Sequence, residues 1–196
     1  MRVRVLLPLA LVLSTMTYQA TAQPSTAPAP AANPLLQEWT TPFGVPPFGE
    51  VRHEHFLPAF KEAVAAQRRE VEAIDTIAAL DRAGALLDKV GPVFSNLQSA
   101  NTTPELQAIN REVAPMLSAL RDDLRLNPAL FARVKAVWEQ RDTLALTPVQ
   151  KRLVEETYKG FVRGGANLDA AKKERLRAVN AELVMAGVKF GDNLLQ

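Results

Sequence analysis

The chain has 196 residues, 47% of them hydrophobic and 22% charged, enough apolar material for one domain with a genuine core. It contains no cysteine, which excludes thiol catalysis, disulfide cross-links and a lipid anchor on cysteine. The sequence pI near 9.0 belongs largely to a precursor. Of the 23 basic residues, Arg2 and Arg4 leave with residues 1–22, and 21 basic then face 21 acidic residues. That balance argues against a nucleic-acid partner or an anionic membrane surface.

Residues 1–22 read as a secretory signal peptide. Arg2 and Arg4 form a positive segment, Val5 to Leu13 an apolar one, and Ala20-Thr21-Ala22 a small-residue cleavage site before Gln23. The apolar run is shorter than the roughly 20 residues that a membrane-spanning helix needs. A periplasmic or secreted protein with no membrane anchor is expected. Residues 23–33 (QPSTAPAPAAN) read as an extended Pro/Ala linker. Residues 34–196 are then the helical domain.

The next stretch carries Pro34, Pro42, Pro46 and Pro47 and cannot be one helix. Its Leu35, Leu36, Trp39, Phe43 and Phe48 predict a strap laid over a helical body. From Val51 onward the apolar period is helical. A first helix is expected from His55 or Phe56 to about Ile74, along Phe56, Phe60, Val64 and Val71, with Pro58 in its first turn. A second is expected from Ile77 to Gly91, closed or kinked by Pro92. Thr103-Pro104, Asn127-Pro128 and Thr147-Pro148 each place an N-cap residue before Pro at the first helical position, and so open three more. The helix from Pro104 should kink at Pro115.

The Gly164-Gly165 pair breaks the helix containing Tyr158 and Phe161, and Asp169 caps a last one with Leu176, Val179, Leu183 and Phe190 on one side. That helix reaches the final residue within an apolar-periodic run, so the chain is expected to be the front part of a longer protein. Phe161, Leu176 and Phe190 would then face a missing lobe. No stretch alternates with β-branched enrichment. The fold class is all-α, with about six helices and no sheet.

Few residues suggest chemistry. His53 and His55 are the two histidines, and a zinc-binding H-E-x-x-H would need the second one at position 57, where Leu57 stands. On a helix His55 points about 200° away from His53, so this pair reads as part of a helix start. No G-x-S-x-G elbow is present, and Gly164-Gly165 lacks the spacing of a phosphate loop. Asp122-Asp123 and Glu155-Glu156 read as solvated faces, and Lys172, Lys173, Arg175 and Arg177 as a basic run balanced by Asp169, Glu174 and Glu182. No catalytic, cofactor-binding or metal-ligating residue is assigned in this chain.

Several segments nevertheless resemble a known family. Phe161-Val162-Arg163-Gly164-Gly165-Ala166-Asn167-Leu168, followed by Lys173, Arg175-Leu176, Asn180, Leu183 and Phe190-Gly191-Asp192-Asn193-Leu194-Leu195, resembles a signature region of the thimet-oligopeptidase family. The similarity is greatest to its peptidyl-dipeptidase (dipeptidyl carboxypeptidase) and oligopeptidase A branch. Asn33-Pro34-Leu35-Leu36 with Pro46-Pro47-Phe48, Glu54-His55-Phe56-Leu57-Pro58-Ala59-Phe60, Gly84-Ala85-Leu86-Leu87 through Val93-Phe94-Ser95-Asn96-Leu97, and Asn127-Pro128-Ala129-Leu130-Phe131 agree in order. The resemblance implies a two-lobed, all-helical zinc peptidase whose channel admits short peptides. It places zinc on an H-E-x-x-H and a downstream Glu in the later part of the family protein, residues that this chain does not contain. The matched part would be the N-terminal region walling the channel. Between Ile74 and Leu80 a P-T-F-E-N-like stretch of the family is missing, which implies a local deletion.

Two functional classes follow. The chain is the N-terminal part of a secreted zinc peptidase, inactive by itself and partnered by the missing C-terminal lobe. Alternatively it is a non-catalytic helical module that binds a peptide or a protein.

Overall fold

Seven α-helices and one 3₁₀ turn make up the regular structure of the computed structural model, which describes residues 32–73 and 76–194. The expected signal peptide, nearly all of the linker, and Ile74 and Asp75 lie outside those residues. The helices are α1 (His53–Glu72), α2 (Ile77–Arg82), α3 (Ala85–Ala100), α4 (Pro104–Arg125), α5 (Pro128–Glu139), α6 (Pro148–Arg163) and α7 (Ala170–Leu194). Among the described residues there is no strand, and the fold is all-α. Among the described residues no helix is long and apolar enough to cross a membrane.

The three X-Pro starts form as the spacing predicts. Thr103 accepts from Leu106 N–H at 3.3 Å, Asn127 from Ala129 and Leu130, and Thr147 from Gln150. Gln150 closes a capping box by accepting from Thr147 N–H at 2.9 Å. In each case the proline fills a position whose N–H has no partner inside the helix.

Three boundaries differ from the sequence reading. Helix α1 begins at His53, because His55 Nδ1 accepts the Arg52 N–H at 3.0 Å and satisfies the chain just before the helix. Pro58 therefore falls in the second turn, within the helix. The expected helix from Ile77 to Gly91 is two helices, divided at Gly84, whose φ of 101° is left-handed. A Cβ there would lie 2.6 Å from Gln67 Nε2, so the side chain of α1 occupies the space that glycine leaves. Pro92 does not close the second piece, since α3 continues to Ala100. Helix α4 likewise runs on past Pro115 to Arg125.

Helix α1 is about 30 Å long at 1.5 Å per residue and serves two cores. At its start Phe56, Ala59 and Phe60 meet Val90, Val93 and Phe94 of α3 and Leu106 and Val113 of α4. Phe94 holds both phenylalanines, with ring centres 5.2 Å from Phe56 and 5.3 Å from Phe60. At its end Val71 joins Leu130, Phe131 and Val134 of α5, Phe161 of α6 and Ala166. Phe161, expected to face a missing lobe, is buried here. Along the rim of this second core Trp138, Tyr158, Phe131 and Phe161 stack in turn, and Arg141 caps the row 3.8 Å over Trp138.

The strap forms in its first half. Leu35 is fully buried in the first core, and Asn33 Nδ2 donates to the His55 carbonyl at 2.7 Å. Trp39 donates to the Pro34 carbonyl at 3.0 Å and lies beneath the Lys89 ammonium. The second half does not bury its apolar residues: Phe43 and Phe48 are exposed. Phe43 sits in a 3₁₀ turn with φ 60°, which directs the chain and its ring outward.

Candidate functional cleft between α4 and α7

Helix α7 packs on α4 and has no fully buried side chain, so polar groups carry much of its attachment. Asp122, on α4, is buried, and its Oδ1 accepts from Asn180 Nδ2 of α7 at 2.7 Å. The neighbouring Asp123 accepts from Arg68 of α1 at 2.8 Å and from Arg177 of α7 at 3.0 Å. Arg111 of α4 reaches Asp192 of α7 at 2.9 Å. The Asp122-Asp123 pair is thus no solvated face. Adjacent carboxylates splay apart, and here one points under α7 while the other spans α1 and α7. Helical periodicity alone could not show this, since it gives the angle between side chains but not which helices flank them.

The break between α6 and α7 closes the cleft. Gly165 N–H bonds the Val162 carbonyl at 3.1 Å and Ala166 N–H the Phe161 carbonyl at 3.0 Å. With Gly165 at φ 94°, this is a Schellman helix end, and Phe161 and Ala166 are the apolar pair that accompanies it. The turn carries Arg163 and Gly164 towards α4. Together they bound a cleft of about 260 Å³ with Ser118, Arg121, Asp122 and Arg125 of α4 and Leu176, Asn180, Leu183 and Val184 of α7.

The first turn of α7 is capped as expected: Asp169 Oδ1 accepts from Lys172 N–H at 2.8 Å and Oδ2 from the Lys172 ammonium at 2.7 Å. These bonds, the one to the ammonium foremost, hold the Asp169 carboxyl below the usual aspartate range. Folding lowers this pKa, so the stabilisation is complete above the unfolded value and is lost as pH falls through the folded one. Acidification below about pH 4 is expected to fray this turn before the middle of α4 opens. Amide exchange at Ala171–Lys173, compared between pH 6 and pH 3, measures it; unchanged relative protection would contradict the cap's role.

The other residues singled out from the sequence lie elsewhere. His53 and His55 begin α1, and the Nδ1 of His55 is committed to Arg52. Glu155 and Glu156 pair with Arg152, and Glu155 also with Lys159. Among the described residues no group of three His, Asp or Glu side chains is placed to hold a metal ion. The residues present therefore do not fit the zinc site of the family that the sequence resembles.

The fold thus defines the class: an all-α domain in which a long helix is fastened over a polar cleft by carboxylates of its neighbour. No family model matches the chain. It is 39% identical over 175 residues to a dipeptidyl carboxypeptidase of Salmonella typhimurium, a match covering 84% of this chain and 26% of the relative. It is 37% identical over 173 residues to a dipeptidyl carboxypeptidase of Escherichia coli, covering 83% of this chain and 25% of the relative. Oligopeptidase A of Salmonella typhimurium is 26% identical over 173 residues, with 83% and 25% covered. Over this stretch the chain is therefore similar to dipeptidyl carboxypeptidases and oligopeptidases A, relatives that belong to the thimet-oligopeptidase family. The chain spans about a quarter of the length of these curated relatives.

Proposed function

We propose that the chain is the helical, non-catalytic part of an exported peptidase that hydrolyses short peptides. The observation that carries this reading is 39% identity across 84% of the chain to a dipeptidyl carboxypeptidase more than three times its matched length. The missing zinc motif supports a division of labour, in which catalysis belongs to residues beyond these 196 and this stretch shapes access to them. Zinc is expected in the complete protein and not on this chain. The N-terminal pattern of residues 1–22 supports export to the periplasm or medium.

A second reading, a free-standing module that binds a peptide or a protein, is favoured by the apolar stripe of α7. Leu183, Phe190 and Leu194 are 68%, 65% and 71% exposed on that helix. Two measurements separate the readings. Intact mass of the native exported protein should exceed the chain from Gln23 to Gln196 several-fold, whereas a mass equal to it favours the module. The 196-residue chain alone should release no dipeptide from short peptides with or without added zinc. Zinc-dependent turnover by this chain would overturn the proposed division.

A further inference from the structure

We propose that the cleft between α4, the end of α6 and α7 binds a small dianionic oxyanion, phosphate or a dicarboxylate, on Arg121, Arg125 and Arg163. All three guanidinium-bearing residues line the same space of about 260 Å³. Among the described residues none of the three has an ion-pair or hydrogen-bond partner, whereas Arg68, Arg111 and Arg177 around the same helices are each paired with a carboxylate. The acid within the cleft is Asp122, which is buried and already bonded to Asn180. Three positive charges against this one leave a net charge of two to be matched. A planar guanidinium presents two parallel N–H donors, the geometry that carboxylate and phosphate oxygens accept.

The cleft is also shaped for this. A Cβ on Gly164 would lie 3.0 Å from Arg125 Cδ and 3.3 Å from its Cβ, so glycine lets the arginine stem lie against the turn. Gly164 has φ −75°, which any residue can adopt, and a Cβ there would also lie 3.1 Å from the Gly160 carbonyl oxygen. The available volume equals that of several water molecules at about 30 Å³ each, enough for phosphate or succinate. The proposal does not depend on peptidase activity.

The test is calorimetric titration of the full chain at low ionic strength with sodium phosphate and, separately, with succinate. Saturable binding of at least one is expected, and the tighter of the two identifies the source of the oxyanion. The double variant Arg125→Gln/Arg163→Gln should bind at least about tenfold more weakly for each arginine lost, with helix content unchanged by circular dichroism. Gly164→Ala keeps every charge and displaces the Arg125 stem, and it too should weaken binding; it decides the matter should the double variant not fold. No saturable binding of either probe, or affinities unaltered in the variants, would overturn the site.

Discussion

Phe60→Ala is expected to destabilise the protein by about 3–5 kcal/mol, the range for a fully buried phenylalanine cut back to its Cβ. Phe60 is completely buried and meets the Phe94 ring edge-on, at an interplanar angle of 85°. Phe94 is in turn tilted against Phe56, so that α1 and α3 are joined through one aromatic contact set. Removing the Phe60 ring leaves Phe94 and the surrounding apolar walls without a partner on that side. Collapse is opposed because Phe56, Val90 and Val113 are themselves packed in the same core. Since whole domains are stable by about 5–15 kcal/mol, this single change should remove a large share of the total. Urea unfolding followed by circular dichroism measures it. Phe48→Ala, on a ring 52% exposed in the strap, should stay within about 0.5 kcal/mol and serves as the control. Equal losses for the two variants would mean that the first core does not hold α1 to α3.

Gly165→Ala is expected to cost about 1–3 kcal/mol from backbone strain, and more from contact. At φ 94° the residue lies in the left-handed region, where a Cβ is disfavoured. That Cβ would stand 2.7 Å from Leu176 Cδ2 and 3.0 Å from Leu168 Cδ1, so both leucine side chains must turn aside. Leu176 lines the cleft, and the change should therefore loosen α7 as well as lower stability. Denaturant unfolding and amide exchange along α7 measure the two effects. Gly187→Ala is the contrast, because a helical glycine with nothing within 4 Å of its built Cβ should gain about 0.4–1 kcal/mol. A neutral Gly165→Ala would show that the turn is not held by its left-handed conformation.

Much of the fold was written locally. Thr103-Pro104, Asn127-Pro128 and Thr147-Pro148 mark helix starts because a short side chain accepts the free N–H groups and proline lacks the one that would be idle. Gly164-Gly165 and Asp169 mark an end and a start for the same kind of reason. The all-α class and the family resemblance were legible at this level. The break at Gly84 was not, because the apolar period of Ile77, Leu80, Leu87 and Val90 passes through it. What decides that break is the left-handed glycine beside Gln67 of another helix.

The cleft was hidden for a related reason. Asp122, Asp123, Arg121, Arg125 and Arg163 look like ordinary surface charges in the sequence, spread over two helices. Caps and turns depend on groups within a few residues of one another, so the sequence by itself determined the helices, most of their boundaries and the absence of an H-E-x-x-H. Burial of Asp122 under Asn180, the bridging of Asp123 between α1 and α7, and the gathering of Arg121 and Arg125 with Arg163 depend on residues far apart in the sequence, brought together by the packing of α6 and α7 against α4. Only the tertiary structure could decide those, because solvation and pairing are set by which helix lies across a side chain.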